Sequence, residues 1–286
     1  MGRPEKSERK RAGHRLVCKL CLRVEPLRKS HLIPAAVYGE CREPSLENKD
    51  PMMSSSDLIL QNSRPIRDYV LCGDCEGRLS RKGEDWVMKS MAHRDHTFPL
   101  LDALKKTRPL DESEGLALYS GAKIPEIDME KLGYFALSVF WRGGAHEWKT
   151  LGRVIPRVSL GEMEEKIRTF LLGVAGFPAD AVLFVKVCPE PGVVLAAYTP
   201  HLVLTGNVHD FKFYIPGIEF ELWVGNVARE KLKRFCSYSA PEQLLYVSLD
   251  VGREAKEALG IHTRTARLAR NVQATLSEIA ERRKGG

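Results

Sequence analysis

Two Cys-x-x-Cys pairs, Cys18 with Cys21 and Cys72 with Cys75, restrict the fold of this chain more than any other feature of its sequence. Thiolates three residues apart lie on one tight turn and bind one side of a tetrahedral ion, so two such turns complete its coordination. A single pair of this kind also occurs in redox proteins, but neither pair lies in a strand-helix-strand pattern. The sequence therefore predicts a closed, structural zinc site formed by two distant segments.

The composition is that of a globular protein. The chain has 286 residues, of which 43% are hydrophobic, enough for one large domain or two ordinary ones. Its longest uncharged apolar runs, residues 181–185 and 193–198, are far shorter than the roughly 20 residues that span a bilayer. The charged N-terminus has no apolar core typical of a secretory signal. We therefore expect no membrane association and a cytoplasmic location.

The charge balance favours a polyanionic partner. Lys and Arg number 44 against 37 Asp and Glu, and the sequence pI is about 9.0. Basic residues are concentrated near the start of the chain, so residues 1–13 are predicted to be a basic flexible arm. A solvated tail that only aids solubility explains the same residues equally well.

The pattern of apolar residues predicts an α+β fold with two parts. In residues 14–95, strands are expected at 57–61 and 67–72, a loop at 41–57 and a helix at 75–94. Residues 96–286 are predicted to form a mixed domain, which begins with a short helix and a connection and continues with a buried helix over residues 132–141. A second helix over 159–178 is expected to start with Ser159 as its cap and Glu162 completing a capping box.

Later segments of the mixed domain read as strands separated by Pro, Gly and Asn, which predicts an antiparallel meander. The chain is then expected to end in one basic helix, in which Arg264, Arg267 and Arg270 share a face. These three arginines can contact phosphates of a nucleic acid. A solvated helix surface is the alternative.

The sequence C-x-x-C, then "SHLIP", then "LCGDCE" resembles the four-cysteine, zinc-bearing branch of the HNH, or His-Me finger, endonucleases. The resemblance covers residues 17 to about 90 and implies a treble-clef ββα-metal module. With the downstream "LSVFWR", the chain is also similar to uncharacterised bacterial and phage-defence-associated proteins.

Transferred residue by residue, the resemblance makes His31 the general base that deprotonates the attacking water. It makes Glu76 a ligand of one catalytic Mg²⁺ or Mn²⁺ ion, with Glu84 or Asp85 as additional oxygen donors. Ser30 departs from the family pattern, because an acidic residue usually precedes the histidine. The Asn that orients the histidine has no clear counterpart, and Asn62 and Asp68 are the candidates.

The resemblance implies a metal-dependent endonuclease, with DNA as the favoured substrate and an anti-phage effector as one possible setting. Arg78, Arg81 and Lys82 follow the second cysteine pair and are candidates for phosphate contacts, or else form a solvated face. Residues 96–286 would select the substrate, bind a regulatory partner or form a homo-oligomer. The rival hypothesis is a zinc-stabilised module that binds nucleic acid or protein and cleaves nothing, in which His31 is structural.

Overall fold

The computed structural model describes residues 15–42, 50–54, 58–62, 64–150, 152–189, 193–205, 208–225 and 232–284, so the predicted basic arm lies outside the described residues. The strands are β1 Arg15–Val17, β2 Val24–His31, β3 Met52–Ser54, β4 Leu58–Gln61, β5 Arg67–Cys72, β6 Asp111–Ser113, β7 Leu116–Ser120, β8 Lys149–Thr150, β9 Arg153–Val154, β10 Ala181–Val187, β11 Tyr198–Thr205, β12 Val208–Ile215, β13 Ile218–Val224, β14 Leu244–Ser248 and β15 Arg267–Leu268. The helices are α1 Ala35–Glu40, α2 Gly73–Leu79, α3 Asp85–Ser90, α4 Pro99–Lys105, α5 Met129–Ala145, α6 Met163–Leu171, α7 Leu249–Thr265 and α8 Arg270–Lys284.

The fold is α+β with sheets that are mostly antiparallel, as the sequence predicts. Strands β4 and β5 confirm the two strands expected in the first part of the chain. The segment predicted as a loop contains the short strand β3, which pairs with β4. In the part of the chain that the structure describes, no helix combines the length and the apolar character needed to cross a membrane.

The cysteine-rich segment forms a three-stranded sheet in the order β1-β2-β5. Strands β2 and β5 are antiparallel, and their ladder pairs Ser30 with Asp68 and His31 with Arg67 at the end of β2. The register shifts between Arg28 and Lys29, which marks a bulge. The sheet therefore carries His31 at one end and Cys72 at the other end of the same strand pair.

A helical segment follows β5 directly and is interrupted by a π turn, Ser80–Glu84, between α2 and α3. Gly83 lies in this turn, against α5. A Cβ atom added to Gly83 would be 2.9 Å from the backbone nitrogen of Phe135, so the close approach of the two helices requires glycine here. The predicted helix over 75–94 is confirmed in position, with the π turn at the glycine.

Helix α5 is the central buried helix, which confirms the prediction for residues 132–141. Asp128 caps its first turn by accepting a hydrogen bond from the backbone N–H of Lys131 at 2.9 Å. Phe135 and Phe140 pack edge-on against Phe213 of the large sheet, at ring-centroid distances of 6.1 and 4.8 Å. The helix is apolar around its circumference because the sheet covers one side and the cysteine-rich segment lies on another.

The large sheet has seven strands in the order β11-β12-β13-β10-β14-β7-β6. Strands β10 to β13 pair antiparallel, in agreement with the predicted meander, whereas β10 and β14 pair parallel. One cluster of buried apolar side chains extends from Leu20 and Val70 near the cysteines to Phe220 in this sheet. The division of the chain near residue 95 stays a prediction.

Two sequence predictions about helices are wrong. Helix α6 begins after Glu162, and no side chain caps it, so Ser159 does not form the expected capping box. The single C-terminal helix is instead α7 and α8, separated by β15. The helix is interrupted there because β15 pairs parallel with β4. The residues next to β15 in sequence do not indicate this distant strand partner.

Candidate metal centre and the residues around it

The sulfur atoms of Cys18, Cys21, Cys72 and Cys75 all lie within 4.8 Å of one another. Those of Cys21 and Cys72 are 3.8 Å apart. A tetrahedral zinc ion with bonds of about 2.3 Å to sulfur separates its ligands by about 3.8 Å, so this spacing fits the ion. The four cysteines can therefore bind a metal such as zinc.

The first cysteine pair lies on a tight turn between β1 and β2. The backbone N–H of Cys18 donates to the carbonyl of Arg23 at 2.9 Å, and the N–H of Leu22 donates to the carbonyl of Cys18 at 2.8 Å. Leu22 has a positive φ of 61°. This left-handed residue reverses the chain after Cys21, which turns both sulfur atoms toward the second pair.

The second pair lies where β5 meets α2, with Cys72 as the last strand residue and Cys75 in the first helical turn. The N–H of Cys72 donates to the sulfur of Cys18 at 3.3 Å, which joins the two turns directly. A hydrogen bond from the Cys75 thiol lowers the pKa of Cys18 to about 4, and the same bond raises the pKa of Cys75. Sulfurs so close cannot all ionise without a cation, and a bound dication provides that compensation.

His31 is the last residue of β2 and is half-buried. Its carbonyl oxygen accepts a hydrogen bond of 2.7 Å from Nη1 of Arg142. Burial lowers the pKa of the His31 imidazole, and the charges of Arg67 and Arg142 lower it further, against a smaller opposing effect of Glu84. The imidazole is therefore neutral at neutral pH and able to accept a proton.

Glu76 follows Cys75 on α2, and burial raises the pKa of its carboxyl group. The hydroxyl oxygen of Ser30 accepts a hydrogen bond of 3.0 Å from the N–H of Leu71, and the interaction of Glu76 with Ser30 opposes the rise of the Glu76 pKa. Oε1 of Glu76 is buried and has no hydrogen-bond partner among the described residues. Ser30 is fully buried, and its hydroxyl oxygen already accepts the hydrogen bond from Leu71.

Arg142 of α5 connects these residues. It is 1% exposed, and its Nη2 lies 2.7 Å from Oε1 of Glu84. Its positive charge also lowers the pKa of Glu76, although burial outweighs this effect. In an uninterrupted α-helix, residues eight apart project about 80° from each other. The wider π turn between Glu76 and Glu84 reduces this divergence, so the two residues project more nearly to the same side of the helical segment.

Of the two candidates for the orienting residue, Asn62 uses its side chain in a local turn with Arg64. Asp68 instead contacts the residue that follows the C-terminal end of α5. Its Oδ2 lies 3.0 Å from Nε2 of His146, the residue that follows this helix. Asp85, an additional candidate oxygen donor, accepts a hydrogen bond of 2.6 Å from the hydroxyl of Ser80.

A cleft of about 660 Å³ lies next to the cysteine cluster. Its basic lining residues are Arg23, Arg78, Arg81 and Lys82, and its acidic one is Asp74. Residues two apart in a helix project about 160° from each other, so Arg78 and Glu76 lie on opposite sides of α2. The predicted phosphate contacts are therefore gathered in one cleft, but that cleft faces away from the candidate catalytic carboxylate.

The predicted arginine stripe at the C-terminus does not form, because its members belong to three different elements. Arg267 lies in β15 and Arg270 begins α8, and both are exposed. Arg264 belongs to α7, but its side chain is not among those described. Neither Arg267 nor Arg270 lines the basic cleft.

Among the described residues, the four cysteines are the one group of three or more His, Cys, Asp or Glu side chains close enough to hold a metal. His31, Glu76 and Glu84 thus do not form a second preassembled metal centre. Sequence reasoning assigned no role to Arg142 or His146. For Arg142 a signal exists, since a charge that directly follows the apolar run 132–141 must find a partner when it is buried.

The fold and the cysteine cluster define an α+β protein with a four-cysteine site that can bind a metal ion such as zinc. No protein-family profile matches the chain, and comparisons with curated proteins and with solved structures also give no match.

Proposed function

We propose that this protein is a metal-dependent endonuclease that hydrolyses phosphodiester bonds of nucleic acid, with DNA as the favoured substrate. Its N-terminal segment would be a treble-clef ββα-metal module, as the sequence resemblance implies. The observations that support the proposal are the contacts of the buried Arg142 with the backbone carbonyl of His31 and with the carboxylate of Glu84, and the buried carboxyl group of Glu76 next to Cys75. A structural zinc site with four sulfurs has no open position, so the chemistry is assigned to this neighbouring group.

In the proposed reaction, the neutral imidazole of His31 takes a proton from the water that attacks phosphorus. Arg142 holds the backbone of His31 through the 2.7 Å hydrogen bond to its carbonyl oxygen, which fixes the end of β2. The lowered pKa of His31 keeps this base unprotonated at neutral pH. Arg142 is buried and acts by positioning, because its guanidinium is occupied by protein groups.

Glu76 and Glu84 provide part of the oxygen ligands that a divalent cation requires. Oε1 of Glu76 is a hard oxygen without a partner among the described residues, as Mg²⁺ or Mn²⁺ requires. Glu84 is the second carboxylate, although Arg142 already contacts it. When bound, such an ion supplies positive charge that stabilises the phosphorane and the leaving oxygen. We therefore propose that Glu76 holds the ion with water and substrate.

The test is cleavage of plasmid DNA and of single-stranded RNA by the purified protein with Mg²⁺, Mn²⁺ or EDTA. We expect metal-dependent cleavage that falls by about 10²- to 10⁴-fold in His31→Ala, the usual contribution of a general base. His201→Ala is the matched control, because this histidine is exposed and lies on β11. Both variants should retain one zinc per chain. Equal activity of wild type and His31→Ala contradicts the proposal.

The second candidate function is a zinc-stabilised module that binds nucleic acid without cleaving it. The position of the basic cleft favours it, since the cleft faces away from Glu76. Arg81→Glu combined with Lys82→Glu should weaken binding and reduce its salt dependence, whereas Arg253→Glu combined with Lys256→Glu, at two exposed positions of α7, should not. Salt-dependent binding without any cleavage would favour this candidate over the nuclease.

An anti-phage effector is the biological setting that we propose for the nuclease. The resemblance of "SHLIP", "LCGDCE" and "LSVFWR" to phage-defence-associated proteins supports this setting. Residues 96–286 would then bind a regulatory partner or a second copy of the chain. Phage challenge of cells that produce wild type or His31→Ala tests it, and equal plaque counts would contradict it.

A further inference from the structure

A second histidine lies in the same region as His31 and is held by a carboxylate. Nε2 of His146 is 3.0 Å from Oδ2 of Asp68. The side chain of His146 is 18% exposed and that of Asp68 is 46% exposed, so the pair is open to solvent. A histidine whose ring is fixed by a carboxylate through one nitrogen is the usual arrangement for proton transfer at the other.

The β2–β5 ladder sets the position of this pair relative to His31. Asp68 is paired with Ser30, the residue before His31, and therefore lies on the strand next to it. In addition, Arg142 bonds the His31 carbonyl, and His146 lies four residues after Arg142, just beyond the end of α5. These two connections place the Asp68–His146 pair near the backbone at the end of β2.

The ring of His146 is fixed, and one of its nitrogens is available. It packs edge-on against the buried Trp148, at a centroid distance of 5.0 Å. The indole Nε1 of Trp148 donates a hydrogen bond of 2.7 Å to the carbonyl of Arg142, which locks the turn after α5. No hydrogen bond to Nδ1 of His146 comes from the residues that the structure describes, so this atom is left for a substrate or water.

We infer that His146 is a second catalytic residue, the general acid that protonates the leaving oxygen, and that Asp68 is its positioning residue. This inference rests on the proposed function. As the water oxygen bonds to phosphorus, His31 takes the water proton. The bond from phosphorus to the ester oxygen breaks, and that oxygen receives the proton of the His146 imidazolium. Both histidines return to their starting states by exchanging one proton with solvent.

A pair of substrates with different leaving groups distinguishes this role from a structural one. An alkoxide leaving from DNA needs a proton, whereas the p-nitrophenolate of bis(p-nitrophenyl) phosphate departs without one. We expect His146→Ala to slow plasmid cleavage by about 10²- to 10⁴-fold and to leave cleavage of the aryl ester nearly unchanged. His31→Ala should slow both. Asp68→Asn should act like His146→Ala, with a smaller loss.

His146→Gln keeps a donor toward Asp68 and controls for a loss of packing. It should show the same selective loss on DNA, with zinc content and melting temperature equal to wild type. The inference is overturned if His146→Ala and His146→Gln slow cleavage of both substrates equally, or if they slow cleavage of neither substrate. In both cases the nuclease proposal stands. If the wild type cleaves neither substrate, the proposed function fails, and the inference fails with it.

Discussion

Arg142 and Glu84 form an ion pair inside the protein, with Nη2 and Oε1 2.7 Å apart and side-chain exposures of 2% and 18%. The same guanidinium donates to the carbonyl of His31 and to the hydroxyl of Ser138. The pair links α5 to the π turn and to the end of β2, so it connects the central helix with the three-stranded sheet. Such a buried pair is costly to break, because each partner alone is an uncompensated charge.

We therefore expect Arg142→Ala to lower the free energy of unfolding by about 3–5 kcal/mol, the usual cost of removing one partner of a buried pair. Arg142→Met combined with Glu84→Gln should recover part of this loss, because neither charge is then left unpaired. Urea unfolding followed by tryptophan fluorescence measures both. A double variant no more stable than Arg142→Ala would show that the pair is not what stabilises this contact.

Loss of one cysteine of the candidate metal site should unfold the cysteine-rich segment. Cys72→Ser removes one of the four sulfurs, and binding energy of a structural zinc is folding energy. We expect the variant to lack zinc in elemental analysis and to melt at a lower temperature, and EDTA to have the same effect on wild type. Cys41→Ser is the control, since this half-buried cysteine is outside the cluster. Full zinc content in Cys72→Ser would contradict a four-sulfur site.

The lowered pKa of His31 predicts how the stability of the folded protein changes with pH. The folded protein holds this pKa below its ordinary value of 6.5, so the unfolded chain binds the proton more tightly. The contribution of His31 to stability is therefore complete above pH 6.5 and is lost as the pH falls through the folded-state pKa. Urea midpoints from about pH 8 down to about pH 5 should fall less steeply in His31→Gln than in wild type. A steeper fall of the urea midpoint in His31→Gln than in wild type would contradict a lowered pKa of His31 in the folded protein.

Gly83 tests the contact between the π turn and α5. A Cβ atom here would be 2.9 Å from the nitrogen and 3.0 Å from the Cα of Phe135, and this backbone lies in a buried helix. We expect Gly83→Ala to cost about 1–3 kcal/mol in unfolding free energy, the range for overpacked sites. Gly39→Ala is the control, because no atom lies within 4 Å of its added Cβ. Equal thermal stability of the two variants would contradict the close packing of Gly83 against Phe135.

Several elements could be predicted from the sequence because a local pattern encodes them. The spacing of Cys18, Cys21, Cys72 and Cys75 encodes two metal-binding turns, and the structure brings all four sulfurs together. The continuous apolar run over residues 132–141 encodes the buried helix α5. The strands of the meander also follow from alternation and turn residues.

Other elements could not be predicted, because their partners are distant in sequence. Residues 267–268 read as part of a helix but pair with β4, more than 200 residues earlier in the chain. The predicted stripe of Arg264, Arg267 and Arg270 failed for that reason. The predicted capping role of Ser159 is wrong for a different reason, because helix α6 begins only after Glu162.

The residues of the candidate site also fall into two groups, those that the sequence indicated and those that only folding brings together. The sequence, through its motif, indicated His31 and Glu76, and it gathered Arg78, Arg81 and Lys82 on one helix beside the second cysteine pair. Arg142 and His146 lie more than 100 residues from His31 in sequence and acquire a role only through contacts made by folding.

The sequence by itself indicated the four cysteines that can bind a metal, the α+β class and the buried helix, because each cysteine pair and each helix or strand pattern is formed by residues close together in the chain. Only the tertiary structure decided that α5 delivers Arg142 to His31 and Glu84, that Asp68 meets His146, and that the basic cleft faces away from Glu76. These relationships depend on how a π turn rotates one helix and how two strands are aligned in register, and neither is specified by local residue preferences.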